Sequence, residues 1–392
     1  MHFSYLVIFC RFYSTKVEKF STFKRKFEHS FPFPDTRYKV FLLLLHPKLF
    51  HMHTKKRIIV WAVIAAILLA GIISIFCLLF NRPLHLTQPT FIYIDGDDTA
   101  DSVYVKIQND LHGKHLAGFR MLSRFKSYDK HIHTGAYRFD AQTNTLTLFR
   151  RLSSGYQTPV KVTIPSVRTL DRLAHSLDRQ LMADSTEIFT LMCDSSFCDS
   201  LGFTYETLPA LFIPNTYEVY WNMQAKDFFQ RMKKEYNRFW NEERKAKAKA
   251  AGLTPVEVST LASIVEEETA NRGEMPMVAE LYLNRLQADM PLQADPTVKF
   301  SLQEFGLRRI LHKHLEADSP YNTYKHTGLP PGPIRIASIQ GIESVLNHAQ
   351  HDYLYMCAKE DFSGTHNFAV TFAEHQANAR RYQQALNKRN IR

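Results

Sequence analysis

The stretch LASIVEEETA, residues 261–270, places three glutamates side by side. Carboxyl groups are common general acids and bases, so each glutamate is a candidate for catalysis. On a helix with 100° between residues, Glu268 lies at the centre of the apolar stripe, whereas Glu266 and Glu267 lie on its flanks and can reach water. Burial among apolar side chains raises the pKa of a carboxyl group, because it disfavours the ionised form. A carboxylic acid that stays protonated near neutral pH can protonate a glycosidic bond.

The helix that would carry Glu268 has a clear predicted start. Thr254 can cap it, Pro255 suits its first position, and Glu257 stands where a capping box needs a carboxylate. This assignment explains Glu257 and leaves the EEE triplet near the other end of the helix. In a purely structural alternative, Glu268 is a buried ion-pair partner, for instance of Arg285.

Several further motifs resemble one known family. Four motifs in a fixed order closely resemble the YceG-like family of endolytic murein transglycosylases, the MltG type. They are LASIVEEET, VAELYLNRLQADMPLQADPTVKF, YNTYKHTGLPPGPI and THNF. The resemblance runs from about Phe91 to the C-terminus and is most specific from Leu261 to Gly332. It implies that Glu268, the residue before Thr269, is the catalytic glutamate, in agreement with the helical wheel.

The resemblance also implies a mechanism that needs only one carboxyl group. The acid protonates the bond between N-acetylmuramic acid and N-acetylglucosamine. The same group then accepts the proton of the muramic C6 hydroxyl, and a 1,6-anhydro ring closes without water. The chain would act inside nascent glycan strands, end their elongation and work beside peptidoglycan synthases. We expect no metal and no cofactor.

Polar and aromatic residues downstream are candidates for binding the glycan: Gln293, Asp295, Thr297, Tyr321, Asn322, Tyr324 and His366. The Asp295-Pro296 pair is also a good helix start with the aspartate as cap, and the sequence favours that structural role. YNTY can equally be a turn before GLPPGPI, and His366 can support the site or lie in a loop.

One motif departs from the family pattern. Members typically have TIPEG, whereas residues 163–167 are TIPSV. The segment lies in the predicted wall-binding half, so we expect the departure to affect substrate handling there and not the chemistry.

The formal net charge of +11 is concentrated at the N-terminus, where residues 1–57 hold twelve Lys or Arg and three acidic residues. A nucleic-acid binder carries its basic patch on the folded domain, so this distribution argues against that class. Residues 58–80 carry no charge and are long enough to cross a bilayer. Because KKR precedes them, the positive-inside rule predicts a single-pass inner-membrane protein with a cytoplasmic N-terminus and a periplasmic catalytic domain. A buried core helix and a cleavable signal peptide are the alternatives.

The predicted fold class is α+β. Residues 1–57 form a cytoplasmic tail, of which 1–51 are interpreted as a mis-called start with the true start at Met52. A transmembrane helix (58–80), a small LysM-like α/β module (90–185) and a mixed α/β catalytic domain (186–392) follow.

Within these domains, residues 91–110 indicate a strand and a helix, and residues 133–152 indicate strands around turns. Residues 160–181 indicate a strand and a helix, and residues 211–252 a strand and one long helix. Cys193 and Cys198 could form a disulfide bond in an oxidising compartment, but the sequence leaves this open.

Two other functions are compatible with these residues. A hydrolytic muramidase would need a second essential carboxylate such as Asp295 and would leave reducing ends. A non-enzymatic peptidoglycan-binding scaffold would use Glu268 only as a buried ion-pair partner.

Overall fold

A computed structural model describes residues 54–84, 86–111, 116–307 and 309–389. The chain divides into two compact units, residues 1–78 and residues 79–392. The predictions for residues 1–51, including the start at Met52, lie outside the described residues.

The first unit contains helix α1, Thr54–Phe76. A short π-helical segment, Cys77–Asn81, follows it directly. Among the described residues, Lys55–Asn81 is the one helical stretch long and apolar enough to cross a membrane. This is compatible with the predicted membrane anchor.

The second unit begins with an antiparallel strand pair and three helices. Strands β1 (Thr90–Ile94) and β2 (Gly135–Phe139) pair, and Ile92 and Ile94 of β1 are fully buried. The helices are α2 (Ala100–Asp110), α3 (Ala117–Phe125) and α4 (Thr145–Ser153). Together they enclose one hydrophobic cluster drawn from residues 86–152.

The strand prediction is wrong for the segment that forms α4. Asn144 caps this helix, because its side chain accepts a hydrogen bond from the Thr147 amide at 2.8 Å. Leu148, Phe149 and Leu152 then turn into the core together. The alternating pattern of residues 133–152 predicted a strand here, but the cap and the buried helical face outweigh that pattern.

A second antiparallel pair joins segments far apart in the sequence. Strand β3 (Val160–Thr163) pairs with β4 (Thr216–Val219). Helices α5 (Leu170–Asp178), α6 (Ser185–Cys193) and α7 (Ser195–Leu201) lie between them in the chain. All of these pack into the larger hydrophobic cluster, which also contains residues up to Leu346. The domain boundary at residue 185 stays a prediction.

The predicted long helix after β4 is interrupted. It forms α8 (Ala225–Phe239) and α9 (Glu242–Ala250), with a break at the buried Trp240. Asn241 restarts the helix by accepting a hydrogen bond from the Arg244 amide at 2.9 Å.

The remaining elements include the helix that carries the EEE triplet. Thr254 and Glu257 form the predicted capping box of α10 and Pro255 takes its first position, which confirms that helix start. The elements are α10 (Pro255–Glu268), α11 (Met275–Gln287), α12 (Asp295–Leu302), α13 (His312–Leu315), α14 (Ile339–Leu346), β5 (Tyr355–Ala358), β6 (His366–Ala369) and α15 (Phe372–Lys388). Strands β5 and β6 pair in antiparallel fashion. The mixed α+β class is confirmed.

Cys193 and Cys198 are both free thiols in this structure. Cys193 is exposed, whereas Cys198 is buried and its thiol donates a hydrogen bond to the Met192 carbonyl. The disulfide that the sequence left open is therefore not formed here.

Candidate active site

Glu268 is the last residue of α10 and lines a cavity of about 410 Å³. Its Oε1 accepts a hydrogen bond from the Tyr282 hydroxyl at 3.1 Å. Helix α11 supplies Tyr282, which is almost fully buried. All three glutamates are half-buried, so the wheel prediction that Glu268 alone lies in the apolar stripe stays a prediction; Glu268 is the one of the three that lines this cavity.

Burial raises the pKa of Glu268 to about 7. The hydrogen bond from Tyr282 opposes this shift, and the negative charge of Asp295 adds to it. The position of Glu268 at the helix C-terminus acts in the same direction, because that end carries partial negative charge. Near neutral pH the carboxyl group is thus present in both forms, as a group that first donates and then accepts a proton requires.

The structural alternative paired Glu268 with Arg285, and the structure places the hydrogen bonds of Arg285 elsewhere. Its guanidinium donates to the Pro291 and Leu354 carbonyls and to Oε1 of Gln293, at 2.9, 3.1 and 2.7 Å. The predicted ion pair is therefore absent from the described contacts of Glu268. Through these hydrogen bonds Arg285 connects three segments that form the cavity wall.

Gln293 lines the cavity and is held from two sides. Its side-chain Oε1 accepts a hydrogen bond from Arg285, and its backbone N–H donates to the Thr323 carbonyl at 3.1 Å. Its φ is 52°, in the left-handed region that costs a residue with a Cβ free energy. The two contacts stabilise this conformation and fix the Gln293 backbone at the cavity edge.

Asp295 also lines the cavity, and its predicted role as a helix cap is wrong. Helix α12 begins at Asp295, the cap position falls on Ala294, and no side chain caps the helix. The carboxylate of Asp295 instead accepts a hydrogen bond from the Tyr324 hydroxyl at 2.7 Å. Burial, followed by this hydrogen bond, raises the pKa of Tyr324, so the phenol stays a donor.

His366 is the first residue of β6 and lines the same cavity. Its Nδ1 lies 2.8 Å from Oε2 of Glu274, and its amide donates to Oε1 of Glu274 at 2.7 Å. Glu274 also accepts a hydrogen bond from Thr269, the residue after Glu268. His366 is thus connected to the end of α10 through one buried carboxylate, which favours the supporting role.

Three other predicted residues do not line the cavity. Thr297 is fully buried and its hydroxyl lies 2.8 Å from that of Thr323. Asn322 is fully buried and donates to the Leu315 and Ala317 carbonyls. The ring of Tyr321 lies 4.7 Å from that of Phe300. These buried contacts indicate a structural role for the three residues, which lie within three positions of Asp295 or Tyr324 in the sequence.

Glu266 and Glu267 are anchors and not free surface residues. Oε2 of Glu266 accepts a hydrogen bond from the Ser338 amide at 2.8 Å, at the start of α14. Glu267 forms ion pairs with Arg168 at 2.7 Å and Arg335 at 3.0 Å. The prediction that both reach water is wrong for Glu267, whose side chain is 12% exposed.

The TIPSV segment contacts this anchor. The Ser166 hydroxyl accepts hydrogen bonds from the Arg335 guanidinium, and the Val167 carbonyl accepts one from the Ile336 amide at 2.8 Å. Arg168, which binds Glu267, follows directly. The departure from TIPEG therefore bears on the support of the Glu268 helix, which corrects the expectation that it concerns substrate handling alone.

Sequence reasoning missed the aromatic wall of the cavity. Tyr355 stacks on His375 with ring centroids 5.5 Å apart, and Phe372 lies against the same imidazole. Burial, together with Arg285, lowers the pKa of His375. Tyr282 was also missed but was within reach of prediction, because it lies three residues before Arg285, which the sequence analysis named, on one helical face of α11.

This arrangement has the composition of an acid–base site for a polar, ring-containing substrate. It combines one protonatable carboxyl group, hydroxyl and amide donors and an aromatic wall in one cleft. The sequence pattern of the YceG-like family matches residues 92–381. The chain belongs to this family.

Named relatives are consistent with that membership. An endolytic murein transglycosylase of Bacillus subtilis (strain 168) is 37% identical over 164 residues, which are 42% of this chain and 44% of the relative. One of Streptococcus pneumoniae (strain D39) is 28% identical over 280 residues, 62% of this chain and 50% of the relative. The chain thus spans about half the length of the curated relatives it matches. The crystal structure of a YceG-like protein from Listeria monocytogenes superposes with a TM-score of 0.51 at 26% identity, covering 74% of this chain and 98% of that one.

Proposed function

We propose that this protein is a membrane-anchored peptidoglycan lytic transglycosylase that cuts within nascent glycan strands. The observation that carries the proposal is the placement of Glu268, whose pKa is raised to about 7 in a polar and aromatic cavity. The family membership and the names of the relatives support the substrate class.

In this proposal Glu268 serves both steps. Its protonated form donates to the oxygen that links N-acetylmuramic acid to N-acetylglucosamine. The resulting carboxylate accepts the proton of the muramic C6 hydroxyl as the 1,6-anhydro ring closes. Asp295, Tyr324 and Gln293 hold the glycan, and His366 positions the end of α10 through Glu274.

The placement in the cell is part of the proposal. Helix α1 anchors the protein in the inner membrane with its N-terminus in the cytoplasm, and the catalytic domain faces the periplasm. Residues 90–185 form a LysM-like module that contributes to wall binding, and residues 186–392 carry the chemistry. Peptidoglycan synthases are the expected neighbours.

The test is mass spectrometry of peptidoglycan digested by the full chain in detergent. We expect 1,6-anhydro ends from the wild type and a loss of about 10²–10⁴-fold or more in Glu268→Gln. Glu257→Gln is a matched control on the same helix, because glutamine also completes a capping box. Unchanged cleavage by Glu268→Gln would overturn the proposal.

A second function is favoured by one observation. Asp295 lines the cavity together with Glu268 and is exposed, so a second carboxylate is available for hydrolysis. A muramidase would produce reducing ends and would lose activity in Asp295→Asn as severely as in Glu268→Gln. The same digests separate the two functions. Absence of any cleavage would instead favour a non-enzymatic peptidoglycan-binding protein.

A further inference from the structure

An aromatic groove lies outside the candidate active site. Phe91, Tyr93 and Trp221 line it, and its volume is about 820 Å³. The rings form a row, with centroids 6.0 Å apart between Phe91 and Tyr93 and 5.0 Å apart between Tyr93 and Trp221. None of these residues lines the Glu268 cavity.

The two strand pairs of the second unit explain why these side chains share one groove. Phe91 and Arg138 are register partners on β1 and β2, on the face opposite the buried Ile92. Lys161 and Glu218 are register partners on β3 and β4, and both are exposed. The outer faces of both pairs therefore contribute to the groove.

Charged side chains flank the aromatic row. The groove is lined by three cationic side chains and two anionic ones, all of them exposed: Arg138, Lys161, Arg179, Asp178 and Glu218. In the part of the chain that the structure describes, the three cations form no ion pair. The groove thus offers aromatic faces, free hydrogen-bond donors and a small excess of positive charge.

We propose that this groove binds a segment of the peptidoglycan glycan strand away from the scissile bond. The apolar faces of sugar rings stack on aromatic rings, and sugar hydroxyls bind charged side chains. The stem-peptide carboxylates of peptidoglycan complement the three cations. A protein partner would require an interface core depleted of charged residues, whereas five exposed charged side chains line this groove.

The proposal rests on the proposed function, because it takes the same polymer as ligand. Its test measures binding of soluble, uncrosslinked glycan strands to the full chain carrying Glu268→Gln. Adding Tyr93→Ala should weaken binding about 3- to 10-fold, as the loss of one aromatic contact does. Adding Tyr220→Ala is the matched control: Tyr220 is 49% exposed, compared with 41% for Tyr93, and does not line the groove.

A kinetic comparison separates the two proposals. With Glu268 restored, the loss of kcat/KM in Tyr93→Ala should grow with strand length, because only long strands reach both sites. Arg179→Gln should show the same trend and also reduce the salt dependence of binding. If the wild type cleaves but the Tyr93 and Tyr220 variants bind equally well, the groove proposal is overturned and the proposed function stands. If the wild type does not cleave, the proposed function fails.

Discussion

Glu268 connects burial to chemistry at the scale of one residue. Its carboxyl group is charged in water, and burial makes the charged form unfavourable, so its pKa rises to about 7. For the proposed mechanism the first step needs the protonated acid. We expect kcat to be constant below the pKa and to fall about tenfold per pH unit above it.

Stability should depend on pH for the same reason. The pKa of Glu268 rises from an ordinary value of 4.5 to about 7, so between these values the folded state binds a proton that the unfolded state releases. The free energy of unfolding therefore decreases as pH rises through this window. In Glu268→Gln this contribution is absent.

We predict that the Tm of Glu268→Gln minus that of the wild type increases from pH 5 to pH 8. Thermal melts of both proteins in the same detergent and buffers measure this difference. The Glu257→Gln control, in which an exposed carboxylate is lost, should show no comparable trend. A constant difference across the range would show that Glu268 is not buried as described.

Tyr282 offers a second test at this scale. Its hydroxyl donates to Glu268 and lowers the pKa of that carboxyl group. In Tyr282→Phe we expect the alkaline limb of the pH–rate profile to move to higher pH. Tyr236→Phe removes a hydroxyl from another buried tyrosine, against Trp240 in the core, and should leave the profile in place.

At the scale of elements, the C-terminus of α10 is fixed by contacts with three other segments. Glu266 binds the first turn of α14, Glu267 binds Arg168 and Arg335, and Thr269 binds Glu274. These contacts leave little freedom for the carboxyl group of Glu268. Its geometry depends on segments up to about one hundred residues away.

The sequence predicted α10 well because its signals are local. Thr254, Pro255 and Glu257 lie within one turn, and the helical period then orients Glu268. The partners of Glu266 and Glu267 could not be predicted, because no local pattern relates α10 to Ser338 or Arg335. The same limit explains Asp295: Asp-Pro is a good cap signal, but the distant Tyr324 binds its carboxylate.

The arginine pair should matter more than ordinary surface ion pairs. We predict that Arg335→Ala lowers the free energy of unfolding by about 1–3 kcal/mol and lowers kcat, because both partners are largely buried: the side chain of Arg335 is 22% exposed and that of Glu267 is 12% exposed. Arg238→Ala is the control, since Arg238 pairs with Glu235 at 2.7 Å but is 76% exposed. Its loss should cost about 0–1 kcal/mol. If denaturant titrations showed equal losses of unfolding free energy for Arg335→Ala and Arg238→Ala, the stronger stabilising role assigned to Arg335 would be wrong.

At the scale of the whole molecule, α1 and the second unit have separate tasks in the proposal. The helix keeps the enzyme at the membrane, where strands are made, and the second unit carries both the cavity and the aromatic groove. In the proposal, the basic residues Lys55, Lys56 and Arg57 in the first turn of α1 set the orientation.

The topology prediction follows directly. A reporter fused after Arg392 should be active only on the periplasmic side of the inner membrane. A reporter that functions only in the cytoplasm serves as the matched fusion and should be silent. Cytoplasmic activity would contradict the assigned orientation.

Translation from Met52 gives another test at this scale. If residues 1–51 are a mis-called start, a gene that begins at Met52 should restore full function to a deletion strain. Equal membrane levels of both forms, measured by immunoblot, control for expression. Loss of function without residues 1–51 would show that they are a genuine part of the protein.

The contacts of Glu266 and Glu267 have a genetic consequence. A mutant screen scored only on cleavage would recover changes at all three glutamates as one loss-of-function class. Anchor alleles, such as those at Glu267 or Arg335, should be temperature-sensitive, because cooling restores a weakened fold. An allele that changes Glu268 to glutamine should lack cleavage activity at every temperature while its protein accumulates normally. The temperature dependence of cleavage alone would therefore distinguish the anchor positions from the catalytic one.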